Sequence, residues 1–232
     1  MAEEKKTRII TSGSHYSIRA NIDDRDRVTG DFVVIDDAHR VTQRVNGKGQ
    51  IEPNACDVNC DYNGIKKAEG FKNGLATLSY TTPTAGRDDE YGGDDETAYV
   101  TRSGYVFYNE ALADKAREIY ENPGKLTSFK LGRLTSDYVT EHKVLLDVAQ
   151  HSFEEKGREM EHKVFQTRYF NGQYTEKDRM RDLIELEKLA KKVVSHMAKE
   201  FQKANNGKSK QAVEQRIKNL LSPSAQVVEL GE

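Results

Sequence analysis

The stretch TAYVTRSGYVFYNEALADKAREIYENPGK, residues 97–125, divides the chain into two kinds of pattern. Its first twelve residues are rich in Thr, Tyr and Val and break at Ser103-Gly104. That composition predicts two strands joined by a turn. The remainder has the marks of a helix. Asn109 stands where a cap belongs, and Leu112, Ala116 and Ile119 fall on one face. Asn122-Pro123-Gly124 then stops the element. The change of period near residue 110 therefore predicts an α+β protein: an antiparallel β-rich domain over residues 1–108, followed by a helical region over residues 109–232.

Upstream of the boundary, turn signals punctuate short apolar runs. Residues 17–22, SIRANI, place Ile18, Ala20 and Ile22 opposite Ser17, Arg19 and Asn21, the period of a half-buried strand. DFVVID, residues 31–36, is a β-branched run. In RVTQRVNGKGQIEP, residues 40–53, Asn46-Gly47 lies between two alternating segments and predicts a hairpin, because both residue types accept positive φ. GLATLSY, residues 74–80, adds a further strand. Six to eight short strands are expected, with a long acidic, glycine-rich loop between Thr84 and Glu96.

Downstream, a run from a Ser136 or Asp137 cap carries Tyr138, Leu145, Ala149, Phe153, Met160 and Val164 at helical spacing, broken only by Gly157. After Asn171-Gly172, Thr175 with Asp178 three residues on resembles a capping box. It opens a second long helix whose apolar positions include Met180, Leu183, Ile184, Leu186, Ala190, Val193, Met197 and Phe201. The short link predicts a long antiparallel helical hairpin over about residues 136–205. A short amphipathic helix over residues 209–221, with Val213, Ile217, Leu220 and Leu221, and a flexible tail complete the reading.

Bulk composition agrees with extended helices. Hydrophobic residues are 36% and charged residues 32% of 232, against about 45–50% and about 25% in ordinary globular chains. A net charge of -2 argues against a uniformly basic nucleic-acid binder. The charge is uneven, however: Lys188 to Lys218 holds nine Lys/Arg against two Glu. Two cysteines do not make a disulfide scaffold. No apolar run reaches the length of a membrane span, so the expectation is a soluble cytoplasmic protein without a span.

The most motif-like run is NACDVNCDYNGIKKAE, residues 54–69. A calcium loop needs oxygen ligands at positions 1, 3 and 5, glycine at 6 and a bidentate Glu at 12. Counting from Asn59 gives Asn59, Asp61, Asn63 and Gly64, but position 12 is Gly70. Counting from Asp57 puts Tyr62 at the glycine position. Zinc through Cys56 and Cys60 lacks a second ligand pair, and the acidic neighbours disfavour a thiolate. A turn built by Asn, Asp and Gly accounts for the run. Asp57, Asn59, Cys60, Asp61 and Asn63 stay weak metal candidates, with His39 of VVIDDAHR as a further polar neighbour. Glu159 and His162 have the Glu-x-x-His spacing of di-iron bundles, but the motif occurs once where that chemistry wants it twice. Neither a nucleophile elbow nor a phosphate loop is present. No metal, cofactor or catalytic set is therefore expected.

The expected function is a non-catalytic protein–protein interaction module, an accessory or adaptor subunit of a larger assembly such as a bacterial secretion or virion apparatus. Two long helices with one narrow apolar stripe each bury themselves poorly alone. A protein partner or a second copy is expected to pack on Met180, Ile184, Val193, Met197, Phe201, Ile217 and Leu221. The first alternative is a nucleic-acid-associated protein using Lys188, Lys191, Lys192, Lys199, Lys203 and Lys210 against phosphates. That lysine face lacks arginines for base edges and interleaved aromatics for stacking. The second alternative is a metal protein or enzyme centred on the Asp57–Asp61 loop.

Overall fold

The structure, a computed structural model, describes residues 6–12, 16–53, 64–82, 95–128, 136–170 and 173–204. It falls into two compact units, Met1–Asp114 and Lys115–Glu232. The chain is α+β, with two antiparallel sheets followed by helices.

Nine strands form the sheets among the described residues. β1 (Thr7–Ser12), β2 (Tyr16–Ile22), β3 (Val28–Asp36), β4 (Val41–Val45) and β5 (Ile51–Pro53) pair in sequence order. β6 (Ile65–Lys72), β7 (Leu75–Thr81), β8 (Asp95–Thr101) and β9 (Val106–Phe107) make a second meander. Ile18, Phe32, Val34 and Val45 from the first sheet share one core with Ile65, Leu78, Tyr80 and Val100 from the second. This is the arrangement of a two-layer β structure, in which each sheet buries one face on the other.

Local chemistry explains the turns. At residues 46–50, Asn46 Oδ1 accepts from Lys48 N and Gln50 N, both at 3.0 Å, and Gly49 takes φ +82°. Positive φ thus falls on Gly49 rather than on the expected Asn46-Gly47, as in longer hairpin loops closed by a glycine. The Thr101–Tyr105 turn repeats the device with Gly104 at φ +80°. β6 and β7 are joined by Asn73 and Gly74, at φ +48° and +80°, a two-residue connection of the favoured hairpin type. β6 is an edge strand whose exposed positions are Lys66, Lys67, Glu69 and Lys72, charges that discourage edge-to-edge pairing.

In the helical part, α1 (Glu110–Glu121) is capped by Asn109, whose Oδ1 accepts from Leu112 N at 3.0 Å. A 3₁₀ segment, Pro123–Ser128, follows. α2 (Ser136–Phe170) and α3 (Glu176–Ala204) form the long antiparallel hairpin. α3 begins with a reciprocal cap: Asp178 N donates to Thr175 Oγ1 at 3.2 Å, and Thr175 N donates to Asp178 Oδ2 at 3.0 Å. The Thr175 bonds hold the Asp178 carboxyl below the usual carboxylate range.

One expectation fails. α2 does not carry a single narrow apolar stripe throughout. From His142 to Phe153 every residue is buried except exposed Lys143 and half-buried Gln150. Polar side chains on the other faces, Asp147, His151 and Ser152, are buried too, and a stripe read from apolar letters alone passes over them.

Candidate functional site

The hairpin changes character along its length. Toward its open end, Leu186, Ala190, Val193, Val194, Met197 and Ala198 of α3 are buried. Toward its closed end three large apolar side chains come to the surface: Met180 is 49% and Ile184 45% exposed on α3, and Phe165 is 55% exposed on α2. α2 ends at Phe170 and α3 starts at Glu176. All three therefore lie within about 12 Å of rise from the helix ends that the link joins.

An ion network joins the two helices near them. The Arg179 guanidinium reaches Glu161 of α2 at 3.5 Å and Glu176 of α3 at 2.6 Å. Glu161 is four residues from Phe165, and Glu176 is four residues from Met180, which is four from Ile184. Residues four apart share a helix face. Glu161 thus shares a face of α2 with Phe165, and Glu176 a face of α3 with Met180. Tyr174 secures the start of α3 by donating to Asp182 Oδ2 at 2.8 Å.

The partner-binding residues named from sequence separate into classes. Met180 and Ile184 are exposed, whereas Val193 and Met197 are fully buried within the chain. Phe201 lies on α3 near its end, and Ile217 and Leu221 fall outside the described residues. Sequence reasoning missed Phe165 because Val164, its neighbour, satisfied the apolar spacing. An aromatic residue off the stripe of a charged helix was the available signal.

Lys188, Lys191, Lys192 and Lys199 are all exposed on α3. Lys188, Lys192 and Lys199 fall within about 40° of one another around the helix, while Lys191 pairs with Glu187 at 2.6 Å. Lys203 is placed only by its backbone on α3, and Lys210 falls outside the described residues.

Of the metal candidates, Asp57, Asn59, Cys60, Asp61 and Asn63 lie outside the described residues. His39 is exposed at φ +60° in a turn where Asp36 accepts from Arg40 N at 2.7 Å and Arg40 Nε at 2.8 Å. Those bonds hold the Asp36 carboxyl below its usual range. Glu159 and His162 are exposed on α2, with His162 Nε2 2.9 Å from Gln166 Nε2. Among the described residues no group of three or more His, Cys, Asp or Glu side chains could hold a metal ion, and no helix is long and apolar enough to cross a membrane.

The buried polar side chains of α2 have a structural explanation in part. Ser152 Oγ donates to the Tyr120 carbonyl at 2.6 Å, and Lys156 Nζ donates to the Glu121 carbonyl at 3.2 Å. Both carbonyls belong to the last turn of α1, which has no basic residue of its own and whose acceptors need partners from elsewhere. The Tyr120 hydroxyl in turn donates to Glu155. His151 lies 3.5 Å from both Asp147 and Glu154. Ser152 is its sequence neighbour and points at α1, so the pair does not form a nucleophile and base. Set against family models, curated proteins and solved structures, the chain matches none.

Proposed function

We propose that this chain is a non-catalytic interaction protein, an accessory or adaptor subunit that docks through the closed end of the α2–α3 hairpin and works in the cytoplasm. The observation that carries this reading is the exposure of Phe165, Met180 and Ile184 near the closed end of the hairpin, while Leu186, Ala190, Val193, Val194 and Met197 further along α3 are buried. Scattered single apolar side chains on a surface need no explanation, whereas a grouped set rimmed by charges is the usual mark of a docking surface.

The test is photo-crosslinking from position 184 of the full chain in native lysate, with position 143, exposed on α2, as the control. A discrete polypeptide adduct from 184 and not from 143 is expected. Equal, diffuse labelling from both positions would remove the reading.

The exposed lysine stripe of α3 favours a second reading, in which Lys188, Lys192 and Lys199 lie along a phosphate backbone. It requires nucleic acid to be retained at low salt and released as salt rises, with a slope reduced in the Lys192→Glu, Lys199→Glu variant.

A further inference from the structure

We infer that α3 rests on an anionic lipid surface, lying flat with its lysines among the headgroups and Ile184 at the edge of the acyl region. The inference does not depend on the docking reading, whose partner is a protein, and it assigns the lysine stripe to lipid rather than to nucleic acid. At about 100° per residue, the described positions of α3 within about 40° of Lys188 form one ridge, and every one of them is exposed. Five are cationic: Lys177, Arg181, Lys188, Lys192 and Lys199. The others are Ile184 and Ser195. The nearest acidic side chain of α3 around the helix, Glu185, stands about 60° off the ridge. Buried Ala190, Val193 and Met197 lie on the opposite side of α3. Arg181 is paired with Asp178 at 3.2 Å and Asp182 at 3.1 Å, whereas Lys177, Lys188, Lys192 and Lys199 make no ion pair among the described residues.

Geometry selects among the polyanions. Lys177 and Lys199 stand about 33 Å apart along one line of an unbroken helix. Such a line meets a flat sheet of anions along its whole length. The phosphates of a duplex follow a helical path interrupted by grooves about 12 Å and about 6 Å wide, so a straight rod leaves some of its lysines over a groove. Ile184 adds a second discrimination. It is 45% exposed within the ridge, and a phosphate backbone offers it nothing apolar. The boundary between headgroups and acyl chains takes an apolar side chain while the lysines keep their phosphates. Each lysine beside such a surface strengthens binding by about five-fold. The contact is therefore peripheral, forms at low salt and dissolves as screening shortens its reach.

The experiment is co-sedimentation of the purified full chain with vesicles of phosphatidylcholine alone or with about one-third phosphatidylserine, over a rising salt series. The wild type should bind the mixed vesicles at low salt, release them as salt rises, and ignore phosphatidylcholine. The Lys188→Gln, Lys192→Gln variant should bind about 25-fold more weakly while keeping the wild-type circular dichroism. Lys67→Gln, Lys143→Gln removes the same charge from exposed positions off the ridge and should bind like the wild type. Ile184→Gln should weaken vesicle binding several-fold. Equal binding to both kinds of vesicle, or an equal loss in the off-ridge variant, overturns the inference, as does an Ile184→Gln variant that binds as the wild type does. A chain that ignores the mixed vesicles but retains a DNA duplex through Lys188 and Lys192 defeats the lipid surface and leaves the nucleic-acid reading standing.

Discussion

The side-chain amide of Gln43 closes a two-bond ring with the main chain of Ile65. Gln43 Nε2 donates to Ile65 O at 2.9 Å, and Gln43 Oε1 accepts from Ile65 N at 2.8 Å. Gln43 belongs to β4 of the first sheet and Ile65 starts β6 of the second. A side chain thus does between the sheets what a neighbouring strand does within one. Ile65 is buried, so its main-chain groups depend on that partner. Gln43→Ala should cost about 1–3 kcal/mol in urea unfolding of the full chain. Gln43→Glu keeps the acceptor for Ile65 N but sets an anion against Ile65 O, and should lie at or beyond the same loss. A change under about 0.5 kcal/mol in both variants would show that the ring contributes little.

Ser152 and the last turn of α1 form a second such joint. Ser152→Ala removes the donor to the Tyr120 carbonyl in a position 2% exposed, where water replaces it poorly. A loss of about 1–3 kcal/mol is expected. Hydrogen exchange should quicken first at the amides of residues 118–122, because the unsatisfied carbonyl loosens that end of α1. Uniform quickening across the chain, with no local excess, would contradict a capping role.

His142 carries a pH prediction. Its burial, at 6% exposure, lowers the imidazole from its ordinary 6.5 to about 4 by desolvating the charged form. In the unfolded chain it protonates near 6.5. Between those values the unfolded state holds the extra proton, so stability falls as pH drops from about 6.5 to about 4 and is level above. The span corresponds to about 3 kcal/mol. His142→Gln keeps a polar side chain that takes no proton. It should flatten the stability–pH curve over that window while leaving the loss below pH 4, which comes from carboxylates such as Asp23 and Asp178 held low in the fold. Parallel curves for wild type and variant between pH 4 and 6.5 would remove His142 as the cause.

The glycines at 70 and 157 should respond in opposite directions. A Cβ on Gly70 would run into the Gly47 carbonyl oxygen, where the 46–50 hairpin crosses β6 at backbone distance. A Cβ on Gly157 would meet nothing within 4 Å, and Gly157 sits inside α2, where glycine weakens a helix by about 0.5–1 kcal/mol relative to alanine. Gly157→Ala should therefore raise stability by that amount in urea unfolding, while Gly70→Ala should lower it. Stabilisation by both, or destabilisation by both, would show that one of these two local environments is misread.

Much of this architecture was legible where one physical signal acted alone. The period change at residue 110, the Asn109 and Thr175 caps and the 103–104 turn all rest on short-range chemistry, and each stands in the structure. The strand β6 escapes the sequence reading because this edge strand carries its charges outward and leaves few apolar letters, IKKAEGFK, and β1, TRIITS, escapes it because its two isoleucines are adjacent and show no alternation. Asn73-Gly74 is the same dipeptide as Asn46-Gly47, and only the former takes positive φ at both residues. The loop length needed to turn between two particular strands decides that, and it is a property of the sheet. In the hairpin, helical spacing grouped Met180, Ile184, Val193 and Met197 together. Spacing reports a face of a helix but not how far along the helix that face stays covered.

That difference along α3 yields the last prediction. Val193 and Met197 are fully buried, so truncation removes packed methyl groups and leaves a cavity. Met197→Ala should cost about 2–5 kcal/mol, and Val193→Ala somewhat less because fewer atoms are lost. Ile184 and Met180 are half exposed, and their replacement by alanine should move stability by no more than about 0.5 kcal/mol, since alanine also favours the helix. Association with the docking partner should show the reverse order, with Ile184→Ala weakening it at unchanged stability and Val193→Ala weakening it only as far as the chain unfolds. Unfolding curves of the same four variants and their sedimentation in native lysate separate the two effects. A Met180→Ala or Ile184→Ala variant that loses several kcal/mol would mean that these side chains are held by the chain's own fold, and the closed end of the hairpin would then have no surface to offer a partner.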